Sequence, residues 1–305
     1  MRLAFLFPGQ GSQYVGMGRA VYDSVPAARK VFELAEAVSG RAIIRLCFEG
    51  PLEDLTRTDN LQVALTAVNL AHLLALGERG LEASVVAGHS LGEYAALVAA
   101  GVLGVDEALS LVRLRGEYMQ REAERHPGAM AAIVGLSLAD VERVCGRAEG
   151  TVVAANHNSP LQVVISGETR AVERASVCCR EAGGKAVPLP VSGAWHSPLI
   201  GGAQAALEAA IAATAFRPAR CPVVCNHTGA PETDPARLKE NLARQLCSPV
   251  KWMDSLAVMK GGADLFIEVG PKKVLLGLLK KNIPDAVSVS AEDAGGLQTA
   301  LDRLN

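Results

Sequence analysis

Val86-Ala87-Gly88-His89-Ser90-Leu91-Gly92 places a serine between two glycines directly after an apolar run. Gly-x-Ser-x-Gly marks a junction at which a strand turns sharply into a helix and leaves the serine oxygen exposed at the tip. Gly88 and Gly92 supply the tight turn and the close approach of strand to helix. The flanks fit this geometry: residues 83–87 read as a short buried strand and residues 91–103 as a helix rich in alanine and leucine. A bare Gly-x-Ser-x-Gly also fits an ordinary serine in a strand–helix loop. The assignment of Ser90 as a nucleophile therefore rests on the strand before it and the helix after it.

Outward from that junction, strands alternate with helices. Residues 3–7 form a strand, 16–38 are largely helical, 64–76 form a helix, 84–87 the strand before Ser90, and 106–125 a further helix. This alternation predicts a parallel sheet covered on both faces. From Gly128 the rhythm changes to a strand at 129–136, a helix at 138–147 and a strand at 151–155. A turn at 156–160, a strand at 162–166, a helix at 169–182 and a strand at 185–191 follow. That β-α-β-β-α-β order is the split unit of a ferredoxin-like subdomain. The last third returns to the first pattern, with a strand at 265–269 and a helix at 273–281. The expected fold is α/β. A large, hydrolase-like domain with a mainly parallel sheet, residues 1–127 and 191–305, carries an inserted ferredoxin-like subdomain, residues 128–190. No internal repeat or low-complexity linker interrupts it.

Composition narrows the function classes. A chain of 305 residues, half apolar and a fifth charged, has the make-up of a soluble globular protein with a full-sized core. Thirty basic residues against 32 acidic ones leave a formal charge of −2, and aromatics make up 4%. Neither a basic footprint nor stacking platforms for nucleic acid are present. The seven cysteines are odd in number and scattered, which fits a reducing cytoplasm. Cys221, Cys225 and His227 lie close together, but their spacing matches no structural zinc pattern, and buried strand cysteines explain them. The apolar run of residues 3–7 is stopped by Pro8-Gly9, too short for a signal peptide. The stretch 95–105, taken as the longest weakly polar one, is too short to cross a bilayer. A cytoplasmic protein that engages no membrane is expected.

A serine hydroxyl needs an adjacent base, most often histidine. Of the six histidines, His89 sits within the elbow and should point away from the serine's side. His72 and His126 read as packing or surface residues, and His157 and His227 as loop residues. His196 follows Pro190-Val191-Ser192-Gly193-Ala194-Trp195, where the chain re-enters the main domain from the inserted one. Junctions of that kind form clefts, and His196 is the candidate base. On the helix of residues 106–125, Ala108, Leu111, Val112 and Met119 form one apolar stripe. Arg115 falls in its middle and Arg113 on the solvent side. A buried guanidinium must be paired. Either a structural carboxylate or the carboxylate of a substrate satisfies Arg115.

From end to end the chain resembles the malonyl-CoA:acyl-carrier-protein transacylase family. The resemblance lies in Phe7-Pro8-Gly9-Gln10-Gly11-Ser12-Gln13, Gly88-His89-Ser90-Leu91-Gly92-Glu93-Tyr94, Arg115-Gly116, and Asn158-Ser159-Pro160 with Gln162-Val163-Val164. His196-Ser197-Pro198-Leu199, Gln245-Leu246 with Pro249-Val250, and Glu268-Val269-Gly270-Pro271 complete it. The resemblance implies a ping-pong acyltransferase in which Ser90 carries the acyl ester and His196 is the base. It further implies that Gln245 orients His196 through its backbone carbonyl, that Arg115 grips the malonyl carboxylate, and that the amides of Gln10 and Leu91 form the oxyanion hole. Gln62 matches a glutamine near the family's acyl pocket, although the proline that often follows it is Val63 here.

Two departures stand out. Trp195 occupies the position before the histidine, where malonyl-selective members often have Phe and methylmalonyl-selective ones Ser. Lys272-Lys273 follows Gly270-Pro271, where the family often has glycine. The resemblance implies malonyl-CoA and an acyl carrier protein as partners, a role in fatty acid synthesis, and neither cofactor nor metal; a monomer is expected. Rival readings are the same fold serving a polyketide pathway in trans, an esterase with a Ser–acid–His order, and a non-catalytic carrier-binding protein. No clear acid stands at a main-sheet strand end between Ser90 and His196, which disfavours the esterase.

Overall fold

The computed structural model describes residues 1–293 together with 295, 298 and 299. Its strands, in chain order, are β1 (Leu3–Phe7), β2 (Val85–Gly88), β3 (Gly128–Val134), β4 (Val152–Ser159), β5 (Gln162–Glu168), β6 (Lys185–Pro188), β7 (Val223–Val224), β8 (Pro231–Glu232), β9 (Leu265–Glu268) and β10 (Ser288–Ser290). The helices of the first half are α1 (Arg19–Ser24), α2 (Pro26–Ser39), α3 (Ile43–Glu49), α4 (Leu52–Thr56), α5 (Thr58–Gly77), α6 (Gly92–Ala99) and α7 (Val105–Arg125). They are followed by α8 (Leu138–Cys145), α9 (Thr169–Glu181), α10 (Gly201–Ala213), α11 (Pro235–Gln245), α12 (Trp252–Lys260) and α13 (Val274–Asn282).

One sheet runs β10-β9-β1-β2-β7-β8 and is parallel except at the β7–β8 pair. Every residue of β1 is buried. Leu3, Phe5 and Phe7 enter a core with Phe32 of α2, Leu61 of α5 and Val112 of α7. Ala4 and Leu6 enter another with Leu256 of α12 and Leu279 of α13. Successive side chains point to opposite faces, so a strand covered on both sides reads as an unbroken apolar run. A second sheet, ordered β4-β5-β3-β6, is antiparallel throughout. Ala131, Ile133 and Ile165 pack there against Val141 of α8 and Val172 of α9, whereas Met130 and Val164 turn the other way into the main core. The fold is α/β, a mostly parallel sheet joined to a βαββαβ unit.

The structure corrects several elements. The helix expected at 16–38 is two helices, because Val25 is extended (φ −121°) ahead of Pro26, whose ring disfavours helical backbone at the preceding residue. Pro26 then opens α2 at its first position, and Gly40 closes it in the left-handed region (φ 65°). The turn expected at 156–160 is strand as far as Ser159, with register shifts against β5. His157 N–H donates to Val250 O and Val250 N–H to Ala155 O, both 2.9 Å, and this distant partner keeps the segment extended. His157 is therefore a strand residue. The strand expected at 185–191 ends at Pro188. Leu189 N–H still donates to Met130 O (2.9 Å), but Pro190 has no N–H to continue the ladder. The helix expected at 64–76 begins at Thr58, and α5 exceeds the 95–105 stretch in apolar length. It is long and apolar enough to span a bilayer, yet 78% of that apolar window is buried inside the protein, which makes it a core helix.

Candidate active site

β2 ends at Gly88 and α6 starts at Gly92, with the elbow wedged against the loop after β1. A Cβ on Gly88 would lie 1.9 Å from the Gly92 carbonyl carbon, and one on Gly92 would lie 2.0 Å from Phe7 O. Only glycine fits at either position. Ser90 itself has φ 51°, a conformation L-residues adopt at a cost. Asn226, which follows β7, holds it there. Its Oδ1 accepts from Ser90 N–H (2.6 Å) and its Nδ2 donates to Gly88 O (2.7 Å).

Ser90 Oγ lies 2.7 Å from His196 Nε2, and Arg115 Nη2 donates to the same oxygen at 3.1 Å. His196 Nδ1 faces two backbone carbonyls, Ser248 O at 3.0 Å and Gln245 O at 3.2 Å. Carbonyls only accept, so Nδ1 carries the proton and Nε2 offers its lone pair to the serine hydroxyl. Gln245, expected to be the orienting residue, thus shares that contact with Ser248, whose carbonyl is the nearer. His196 is 3% exposed and has φ 58°. Burial, then the Arg115 cation, then His89 push its pKa down to about 3.

Arg115 is fully buried. Its Nη1 donates to Gln62 Oε1 and its Nη2 also to Gln245 Oε1 (3.3 Å), while the Tyr94 ring lies 5.8 Å from the guanidinium carbon. Among the described residues, none of the ion pairs includes Arg115. Its hydrogen-bond partners are all neutral. Gly116 beside it lets α7 close on α5, since a Cβ there would come within 3.1 Å of Gln62. Arg113, on the outer face, pairs with Glu117 at 3.0 Å.

A cavity of about 250 Å³ opens over Ser90 and His196, between the two sheets. Gln10, Met130, Val164, Trp195 and Leu275 are among its lining residues. The backbone N–H groups of Gln10 and Leu91 have no acceptor among the described residues. Trp195 forms part of the wall and is 4% exposed. Gln62 lies behind Arg115 and off the cavity wall, so it acts on the guanidinium and not on the pocket surface. His89 turns to Asn158 Oδ1 (2.8 Å) and packs edge-on against Trp252. His72 is a buried packing residue, its Nδ1 2.8 Å from Val68 O.

Three contributors escaped the sequence reading: Asn226, the Ser248 carbonyl and Glu93. Glu93 is buried in the first turn of α6, where its Oε2 accepts from Gln245 Nε2 (2.8 Å) and Asn226 N–H (3.2 Å). Burial raises its pKa to about 7. Only its place in the elbow motif hinted at it. The Glu268-Val269-Gly270-Pro271 segment anchors α13. Glu268 accepts from Leu275 N–H and Leu276 N–H, each at 2.9 Å, and so seats the helix that closes one side of the cavity. Lys272 and Lys273 are exposed at its start.

Residues 4–300 match the acyl transferase domain family. The chain is 42% identical to the malonyl CoA-acyl carrier protein transacylase of Bacillus subtilis (strain 168), over 99% of this chain and 97% of that one. It superposes with TM-score 0.94 on the crystal structure of an acyl carrier protein S-malonyltransferase from Vibrio cholerae O1. That protein is 41% identical, with 98% of this chain and 100% of the other covered. It also superposes, at TM-score 0.95 and 37% identity over 99% of this chain and 100% of that one, on a malonyl-transacylase solved with a type II polyketide synthase acyl carrier protein. With this elbow, this pair of sheets and full-length identity near 40%, the chain belongs to the malonyl-CoA:acyl-carrier-protein transacylase family.

Proposed function

We propose that the chain transfers malonyl from malonyl-CoA to the phosphopantetheine thiol of an acyl carrier protein, supplying fatty acid synthesis, by a ping-pong route through an ester on Ser90. One observation carries the route: the Ser90 hydroxyl sits between a neutral imidazole nitrogen at 2.7 Å and a buried guanidinium at 3.1 Å that pairs with no carboxylate among the described residues. As Ser90 Oγ attacks the thioester carbonyl, its proton passes to His196 Nε2. The negative oxygen of the tetrahedral intermediate is received by the N–H groups of Gln10 and Leu91. Collapse breaks the C–S bond, and the CoA sulfur leaves with the proton from His196. The carrier thiol then gives its proton to Nε2, its sulfur attacks the Ser90 ester, and Ser90 Oγ regains the proton on leaving. The imidazolium formed in each half-reaction is steadied by the two carbonyls at Nδ1, where a triad would have a carboxylate.

Arg115 receives the free carboxylate of the malonyl group, an anion to match a buried guanidinium whose partners among the described residues are neutral. Trp195 lines the acyl end of the pocket and Gln62 braces the guanidinium from behind. Residues 128–190 act as one inserted unit, with 1–127 and 191–305 (of which 294, 296, 297 and 300–305 lie outside the described residues) forming the catalytic body, and the cleft between them admits both thioesters. The chain works as a cytoplasmic monomer, its partners being malonyl-CoA and the carrier protein. Mass spectrometry of the intact protein mixed with a panel of acyl-CoAs tests the route. Malonyl-CoA should leave a malonyl adduct on the wild type and none on Ser90→Ala, and an adduct formed on Ser90→Ala at the wild-type rate would sink the assignment.

A further inference from the structure

Between Arg115 and the buried carboxylate of Glu93 lies a single side-chain amide. Gln245 Nε2 donates to Ser90 O (2.9 Å) and to Glu93 Oε2 (2.8 Å), and its Oε1 accepts from Arg115 Nη2 (3.3 Å). One side offers acceptors and the other a donor, so a single orientation of the amide satisfies all three contacts. Glu93 Oε2 also takes Asn226 N–H, and Asn226 holds the backbone of Ser90. Glu93, Gln245 and Arg115 are all 2% exposed or less. A buried cation and a buried anion are thus bridged by a neutral group and do not touch, leaving the guanidinium charge partly balanced but still open to a second anion.

We propose that Glu93 is a positioning residue for the acyl-carboxylate clamp: through the Gln245 amide it fixes the Arg115 guanidinium beside Ser90 and supplies a counter-charge that limits how tightly the site holds its anion. This rests on Arg115 being the carboxylate site. A ping-pong enzyme must release its acyl group to the second thiol, and a cation with no internal counter-charge in a dry site would bind the malonyl carboxylate more strongly than turnover needs.

Glu93→Gln removes the charge while keeping an oxygen that can accept from both donors. The measurement is the ratio of kcat/KM for malonyl-CoA to that for acetyl-CoA at about pH 8, where the wild-type carboxyl, raised to about 7 by burial, is ionised. The ratio should rise roughly 3–10-fold through a lower KM for malonyl-CoA, and this gain should vanish when Arg115→Ala is added. A purely structural role would instead lower kcat for both thioesters alike. Gln245→Met keeps the backbone carbonyl that faces His196 but cuts the bridge, and should lower the malonyl/acetyl ratio roughly tenfold. An unchanged ratio in both variants overturns the proposal, as does a gain that persists without Arg115. If Arg115→Ala alone leaves the ratio unchanged, the carboxylate site itself is misassigned, and that failure is separate from the first.

Discussion

At Ser90 and His196 two strained residues face each other, both with positive φ and neither a glycine. Each is over-determined by its surroundings: Ser90 by the Asn226 amide, and His196 by two carbonyls and by Ser197, whose hydroxyl donates to Ala194 O (2.7 Å). Such strain persists only where neighbours hold it. The imidazole is neutral because the folded protein opposes its charging. Its folded pKa, about 3, lies below the ordinary histidine value of 6.5. His196 therefore adds stability that is fully present above pH 6.5 and is lost as pH falls from there towards 3. In the proposed route the same shift keeps His196 able to accept a proton in mild acid. Single-turnover acylation by acetyl-CoA, which leaves the carboxylate clamp out of play, should stay level between about pH 7 and pH 5.5. An unshifted histidine would lose about tenfold over that range. Arg115→Ala removes the second-largest cause of the depression, so its acid limb should move to higher pH. A tenfold loss in the wild type by pH 5.5 would show that the base titrates normally. The same variant should lose malonyl transfer and gain on acetyl relative to it, since a substrate carboxylate would enter without a partner. Equal falls for both thioesters would make Arg115 a structural residue.

The strand–elbow–helix element depends on backbone contacts that no side chain can relieve. Gly92→Ala drives a methyl to 2.0 Å from Phe7 O, a backbone atom of the central strand. It should cost about 2–4 kcal/mol, read as a lower urea midpoint. Gly277→Ala, in the middle of α13, meets nothing within 4 Å among the described residues and should gain up to about 1 kcal/mol from helix propensity. Equal effects at the two sites would refute the close-packing account of the elbow. Elements set by neighbours in sequence were legible in the same way. The buried run of β1, the Gly-x-Ser-x-Gly corner and the apolar stripe that placed Arg115 all follow from residues within a few positions of one another. What escaped was non-local. β4 stays extended through His157 because Val250 pairs with it from the main body, and Ser248 meets His196, Asn226 meets Ser90 and the Glu93 carboxyl meets Gln245 only after β7, α11 and α6 have packed. Val25 is a lesser case, a helix break written in the following proline that the apolar pattern masked.

Across the whole molecule, two sheets meet along one boundary, where Met130 and Val164 of the second join the core of the first, and the site lies on it. Met130 and Val164 come from the antiparallel sheet, Ser90 and Gln10 from the parallel one, and Trp195 from the segment that carries the chain back between them. Lys281 Nζ donates to Gln162 Oε1, and Asn282 Nδ2 donates to Asn158 O (2.9 Å), so the end of α13 ties the two bodies together beside the cavity. Trp195 is wedged into this seam. Its ring edge would be 2.5 Å from a Cβ on Gly193, and its Nε1–H has no partner among the described residues. The indole is there for its volume, and that volume adjoins the base. In the proposed acyl pocket, a methyl branch next to the carbonyl would compete with the indole for this volume. Malonyl-CoA should therefore acylate Ser90 in preference to methylmalonyl-CoA. One methyl in an apolar pocket is worth about 1–3 kcal/mol, so the preference should be about 10–200-fold and not absolute. Trp195→Ser should narrow it by opening the wall, while lowering both rates as His196 loses a packing neighbour. The measurement is competition of the two thioesters for Ser90 in the wild type and the variant, read as the ratio of adduct masses. Equal acylation of the wild type by both would mean that the pocket reserves no space against the branch, and that the fit of the acyl chain is set elsewhere along the seam.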